Sequence, residues 1–242
     1  MPRPGPGRRR FAPSLAATLA MLAGVALLLW LGAWQLGRAA AARAQLEAYA
    51  RGDTAPVALP PAAAAGALPR YARVRLAGRY LPAQQFLLDN MTHGGTAGYR
   101  VLTPFVTDGG ETVLVDRGWL PLGASRATLP AIAVGAERRE LSGRVDALPR
   151  PGLALGAAPG SGPWPRVVGF PGLAELGAAL GRTPYPWIVL LDAGAPDGYL
   201  RDWRPVALPP ERHLGYAVEW FALALTLLVG YVFASLRRAE AS

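Results

Sequence analysis

Two long uncharged apolar runs, one near each end, constrain this chain more than anything between them. From Phe11 to Gly37 there is no charged residue, and Arg10 and Arg38 bracket the run. Trp220 to Leu236 is again uncharged and is closed by Arg237 and Arg238. About 20 apolar residues cross the ~30 Å hydrocarbon layer of a bilayer. Both runs are therefore read as membrane helices, the first over residues 11–37 and the second over residues 213–236. Two spans leave the tails, 1–10 and 237–242, on one side and residues 38–212 on the other. They also bring the end of the first helix and the start of the second to the same face of the membrane.

Arg3, Arg8, Arg9 and Arg10 precede the first span, and Arg237 and Arg238 follow the second. Short arginine-rich flanks stay in the cytoplasm, whereas a long loop crosses largely regardless of its charge. The middle of the chain is thus expected outside, in the periplasm of a bacterium or the intermembrane space of an organelle. A cleaved signal peptide is the competing reading of the first run. Its apolar region would be only about 7–15 residues, shorter than this one, although Ala39-Ala40-Ala41 offers a peptidase small residues. An uncleaved anchor is the reading taken.

The net charge of +9 invites a nucleic-acid reading, which the location of the charge argues against. The tails hold six of the 25 basic residues and Glu240, which leaves 19 arginines against 15 acids in the remainder. Those arginines are scattered, so the basic stripe of a nucleic-acid binder is missing. Every basic residue is Arg, which removes lysine chemistry, and the absence of Cys removes disulfides, thiolate catalysis and cysteine metal sites.

Between the spans, the Ala-rich stretch Arg38–Ala50 continues the first helix, and Pro56–Pro69 is an Ala/Pro connector with little to pack. Strand signals, β-branched and aromatic residues between turn residues, follow at Tyr71–Tyr80, Gln85–Asp89, Tyr99–Val106, Thr112–Trp119, Leu141–Val145 and Trp187–Asp192. Asp108-Gly109-Gly110 reads as a hairpin turn between the third and fourth. Pro149–Pro165 is a Gly/Pro/Ala loop. A short helix is predicted at Leu173–Leu180, entered after Pro171 and stopped at Gly181. The fold class expected is a membrane protein in which two transmembrane α-helices flank a mainly antiparallel β domain, barrel- or sandwich-like, with one short helix.

The entry to the second span carries the most distinctive chemistry. In a helix, His213, Tyr216, Ala217, Trp220 and Ala224 share a face. An imidazole above an aromatic, otherwise small-residue face suits a flat apolar ligand whose metal takes a nitrogen donor, as haem does. The same residues also read as an ordinary aromatic belt with a polar flank, and both readings stand at this point. Glu219 lies about 9 Å beyond His213 along the helix. It either pairs with a cation or ligand group or marks where the hydrocarbon begins. On the first span, Trp30, Trp34 and Arg38 share a face. Arg38 is able to hold a carboxylate such as a haem propionate by two parallel hydrogen bonds, or it forms with Trp34 an interfacial anchor. His93, among Asp89-Asn90-Met91-Thr92 and Gly94-Gly95, reads as a solvated residue of a surface turn. Asp116-Arg117-Gly118-Trp119 reads as a strand end with an adjacent ion pair and a bulge.

The catalytic inventory is thin. No Gly-x-Ser-x-Gly and no phosphate-binding glycine loop is present, and two histidines far apart make a multi-ligand metal site a poor prospect. Binding or assembly is favoured over catalysis.

Four motifs in order carry a resemblance: Leu31-Gly32-x-Trp34-Gln35-Leu36-x-Arg38, Gly98-Tyr99-x-Val101-Leu102-Thr103-Pro104-Phe105, Val113-Leu114-Val115-Asp116-Arg117-Gly118-Trp119-Leu120-Pro121, and His213-Leu214-x-Tyr216-Ala217-x-Glu219-Trp220-Phe221. With both spans in place, the chain resembles the surfeit locus protein 1 family of cytochrome c oxidase assembly factors. The connectors Pro56–Pro69 and Pro149–Pro165 take no part in the likeness. The family pattern has an uncharged residue near Glu219 and often Asn at Asp116.

The resemblance implies a non-enzymatic assembly factor of the bacterial cytoplasmic membrane, with both termini cytoplasmic and the central domain periplasmic. It implies haem a as a transiently bound cofactor, with His213 as axial iron ligand, Tyr216 and Trp220 lining the macrocycle, Arg38 on a propionate and Trp34 beside it. The partners implied are subunit I of cytochrome c oxidase, the haem a synthesis machinery and membrane lipid, and no nucleic acid. The alternative is a membrane-anchored scaffold that holds a subunit I intermediate through its β domain, across Tyr99–Trp119, without a dedicated haem site.

Overall fold

The computed structural model describes residues 9–11, 13–123, 126, 128–149, 162–203, 205 and 208–238. Residues 1–8 of the basic tail, most of the Pro149–Pro165 loop and the last four residues, each assigned above, lie outside the described residues. In chain order the elements begin with β1 (Arg9–Phe11), α1 (Leu15–Arg51), β2 (Val57–Ala58), a 3-10 helix (Ala62–Ala67), β3 (Arg73–Tyr80), β4 (Phe86–His93) and β5 (Thr96–Thr107). They continue with β6 (Thr112–Pro121), β7 (Arg139–Asp146), β8 (Arg166–Val168), α2 (Leu173–Leu180), β9 (Pro184–Leu191), α3 (Pro210–Ser235) and β10 (Leu236–Arg238). The chain divides into two compact units, one from the two ends (up to Leu46 and from residue 206), the other from Glu47–Pro205.

In the first unit, α1 starts at Leu15 rather than at Phe11. Pro13 and Ser14 interrupt the apolar run, and the Ser14 hydroxyl accepts the backbone N–H of Ala17 at 3.2 Å, capping the first turn. The helix then runs unbroken past Arg38 to Arg51, as the Ala-rich continuation predicts. α3 opens at Pro210, where a missing N–H costs nothing. Both helices are long and apolar enough to cross a membrane. They pair antiparallel. Thr18 Oγ1 lies 2.7 Å from the Tyr231 hydroxyl, Gly24 faces Leu227, and Gly32 receives the Phe221 ring so closely that any side chain there would collide with it. β1 and β10 add a short antiparallel ribbon.

The second unit is a barrel with extensions. Strands β3, β7, β9, β6 and β5 are neighbours in that order, and β5 pairs back onto β3. The ring closes where β3 changes partner. Gly78 sits opposite Arg139 of β7 and Thr107 of β5, and a Cβ there would meet the Val106 carbonyl, so the strand crosses over at a residue without a side chain. Pairing is mainly antiparallel, with three parallel contacts: β2–β3, β4–β8 and β6–β9.

Alternation along the strands fills two layers. Val113, Val115, Val189 and Leu191 join Tyr80, Phe105 and Tyr185 in one cluster. Leu114, Ile188 and Leu190 point the other way, toward Leu176 and Leu180 of α2. That helix occupies the predicted span and ends on Gly181 in the left-handed conformation (φ 66°). The β5–β6 hairpin turns at Asp108-Gly109-Gly110 as predicted, with Gly110 at φ 88°.

Three expectations need correction. The Pro56–Pro69 connector does pack: Ala65 is buried in the first cluster, its carbonyl accepts Trp187 Nε1 at 3.2 Å, and the Pro60 carbonyl accepts the Tyr185 hydroxyl at 3.0 Å. Small residues let the 3-10 helix lie flat on the barrel. Second, β4 runs on to His93, and the turn itself is Gly94-Gly95, both at positive φ; Asn90, at φ 60°, sits in a bulge instead. His93 is exposed and lies against the Trp119 ring. Third, Asp116 and Arg117 do not pair with each other, because successive side chains of a strand point to opposite faces. The Tyr99–Trp119 stretch is largely barrel core.

Candidate functional site

His213 enters α3 one turn after Pro210 and is 7% exposed. Its Nδ1 lies 2.8 Å from Oε1 of Gln35 on α1. An amide oxygen only accepts, so this contact takes an N–H from Nδ1 and leaves Nε2 outside it. The imidazole is thereby oriented, with Nε2 turned away from that bond.

Of the α3 face predicted around His213, Ala217 and Ala224 are buried with it and Trp220 is half-buried. Tyr216 stands at the margin, 44% exposed. On α1 the picture differs. Trp34 is 51% exposed and Arg38 is exposed. Trp34 is one residue, or about 100° of helix rotation, from Gln35 and faces away from the seam that holds His213, whereas Arg38, three residues on from Gln35, flanks that seam. The structure thus joins His213 to Gln35 and leaves the Trp34 and Arg38 side chains exposed. Glu219 is exposed on α3. Gln35 was part of a quoted motif but had no assigned role; an uncharged amide inside an apolar span was the available signal, since buried polar groups in lipid seek partners.

The barrel unit holds two polar clusters. Asp116 is fully buried, accepts the Gly118 N–H at 3.0 Å and meets Arg100 Nη2 at 2.5 Å. Burial pushes its carboxyl above the usual range, and Arg100 and the Gly118 N–H oppose the shift. Arg117, 1% exposed, donates to Gln85 Oε1 at 2.9 Å and to the carbonyls of Asp197, Ile132 and Ala133 at 2.7, 3.0 and 3.3 Å. Its guanidinium also lies over the Tyr199 ring. Beside it, burial pushes the Tyr80 hydroxyl up to about 12.

A cavity of about 780 Å³ opens beside these strands. Its arginines are engaged within the unit: Arg73 with Asp192 at 2.6 Å, Arg144 with Asp53 at 2.9 Å, and Arg201 with the carbonyls of Asp192 and Ala195. Among the described residues, no three of His, Cys, Asp and Glu come together as a metal site would require.

The model of the SURF1 family matches residues 22–225 of the chain. An uncharacterized SURF1-like protein of Mycobacterium tuberculosis (strain ATCC 25618 / H37Rv) is 39% identical over 95 residues, 37% of this chain and 35% of that protein. The same figures hold for an uncharacterized SURF1-like protein of Mycobacterium bovis. The match therefore spans about a third of the length of these curated relatives. A SURF1-like protein of Monosiga brevicollis is 29% identical over 226 residues, 84% of this chain and 81% of that one.

Proposed function

The chain belongs to the SURF1 (surfeit locus protein 1) family, known in general as oxidase assembly factors, and on that premise we propose that it carries haem a to subunit I of a haem-copper cytochrome c oxidase. Haem a is cargo in this reading, and the protein performs no catalysis. The observation that supports it most is the placement of His213, a buried imidazole whose Nδ1 is engaged by Gln35 and whose Nε2 stays outside that bond. That donor fits an axial position on haem iron, which takes a single imidazole readily.

His213 ligates the iron, and Tyr216 and Trp220 flank the macrocycle. Arg38, three residues on from Gln35, holds a propionate by charge-assisted hydrogen bonds with Trp34 beside it. A carrier must also release its cargo, and one protein ligand to the metal serves that better than two. The arginine-rich flanks place both termini in the cytoplasm and the barrel outside. Haem a then binds at the outer interface of a bacterial cytoplasmic membrane, between the synthesis machinery that supplies it and the subunit that receives it.

The reading is tested by purifying the full chain from cells that make haem a and express subunit I. Haem a in the preparation, with subunit I co-purifying, is the expected result. Subunit I without haem a would instead favour a scaffold.

A further inference from the structure

We propose that Gln35 is the positioning residue for His213: it fixes the ring in the Nδ1–H tautomer and so reserves Nε2 for a metal. The proposal deepens the haem reading above and rests on it for the identity of the metal group. It also has content of its own, because a neutral histidine left to itself favours the proton on Nε2, the nitrogen a ligand would need bare.

Three observations carry the inference. The Nδ1–Oε1 separation of 2.8 Å joins residues 178 positions apart, so the bond exists only because α1 and α3 pair. Gly32, one turn before Gln35, admits the Phe221 ring, which sets the close approach of the two helices beside the bond. His213 is buried, where its second nitrogen would otherwise compete for the ring proton with few polar partners. Histidines that bind metals almost always donate the opposite N–H to a fixed acceptor, and losing that acceptor weakens metal affinity by about 10–100-fold. Gln35 is that acceptor here.

The test uses the haem-free full chain in detergent with 15N-labelled histidine, at about pH 8, above the ordinary histidine range. Only two histidines report, and exposed His93 is the internal reference. Wild-type His213 should be protonated at Nδ1. Gln35→Leu should move the proton to Nε2, and Gln35→Glu, which keeps an acceptor of similar reach, should restore it. Haem a affinity should then fall about tenfold or more in Gln35→Leu and recover in Gln35→Glu. If Leu disturbs the helix pair, Gln35→Met repeats the comparison with length preserved. Nε2 protonation in the wild type, or an unchanged tautomer in the apolar variants, overturns the proposal; so does unchanged haem a affinity in them. A wild-type protein with the Nδ1–H tautomer that takes up no haem a overturns the haem reading and supports the hold of Gln35 on the ring.

Discussion

Arg100 Nη2 lies 2.5 Å from Asp116 Oδ2, and the carboxylate it meets has no exposed surface. The bulge at Gly118 (φ 116°) turns the Gly118 N–H back onto the other carboxylate oxygen. Burial dominates the shift and raises the Asp116 pKa, with Arg100 and the Gly118 N–H opposing it. Asp116→Asn keeps an acceptor for the Gly118 N–H but takes the carboxylate from Arg100, and should cost about 1–3 kcal/mol. Asp116→Leu strands that N–H and leaves Arg100 unpaired, at about 1–3 kcal/mol for each unmet group. The sign of the pH dependence follows. A carboxyl with a raised folded pKa binds its proton more tightly in the folded chain, so its contribution falls as pH rises from 3.8 through the folded value. Chemical unfolding of the full chain across that window should show this slope in the wild type and lose it in Asp116→Asn.

Arg117 tests how much the barrel depends on one buried cation. Its guanidinium serves three carbonyls and Gln85, a fork that an ammonium does not reproduce. Arg117→Lys should lower stability, and Arg117→Leu should cost about 3–5 kcal/mol by stranding those acceptors. Tyr80→Phe, which removes a buried hydroxyl without a hydrogen-bond partner, should leave stability unchanged or raise it. Thermal melts of the three variants decide the ranking.

The helix pair should fail at Gly32 before it fails elsewhere. Gly32→Leu forces the Phe221 ring out of its place, whereas Gly37→Leu enters open space. Resistance to unfolding in SDS should drop for the first and hold for the second, with helix content retained in both.

Orientation is testable cleanly because the chain has no cysteine. A single Cys at exposed Arg182 should react with a membrane-impermeant maleimide in intact spheroplasts. A Cys replacing Ser242 should react only after lysis. The reverse pattern would invert the proposed topology.

Much of the barrel was legible because its strands alternate between turn residues. α2 was legible to the residue, since Pro171 and Gly181 punctuate both of its ends. β8 was not: Arg166–Val168 is three residues long and is a strand only because β4 offers an edge to pair with. The 3-10 helix was missed for a related reason, its Ala residues having no pattern of their own until Trp187 and Tyr185 meet them. At the site, His213 was visible as a lone imidazole opening an apolar span. Gln35 was not paired with it, because that pairing depends on how two helices cross to bring together residues 178 positions apart. Sharing a bilayer face placed Trp34 and Arg38 near His213 in the sequence reading; side-chain direction around α1 makes Gln35 the residue in direct contact.

The central claim is that His213 ligates haem a. The most direct measurement is the absorption and pyridine haemochrome spectrum of the wild type and His213→Ala, both purified from cells able to make haem a, with folding checked by circular dichroism. The account predicts haem a in the wild type and its loss from a folded His213→Ala protein. Equal haem a and an unchanged spectrum in the two would contradict it.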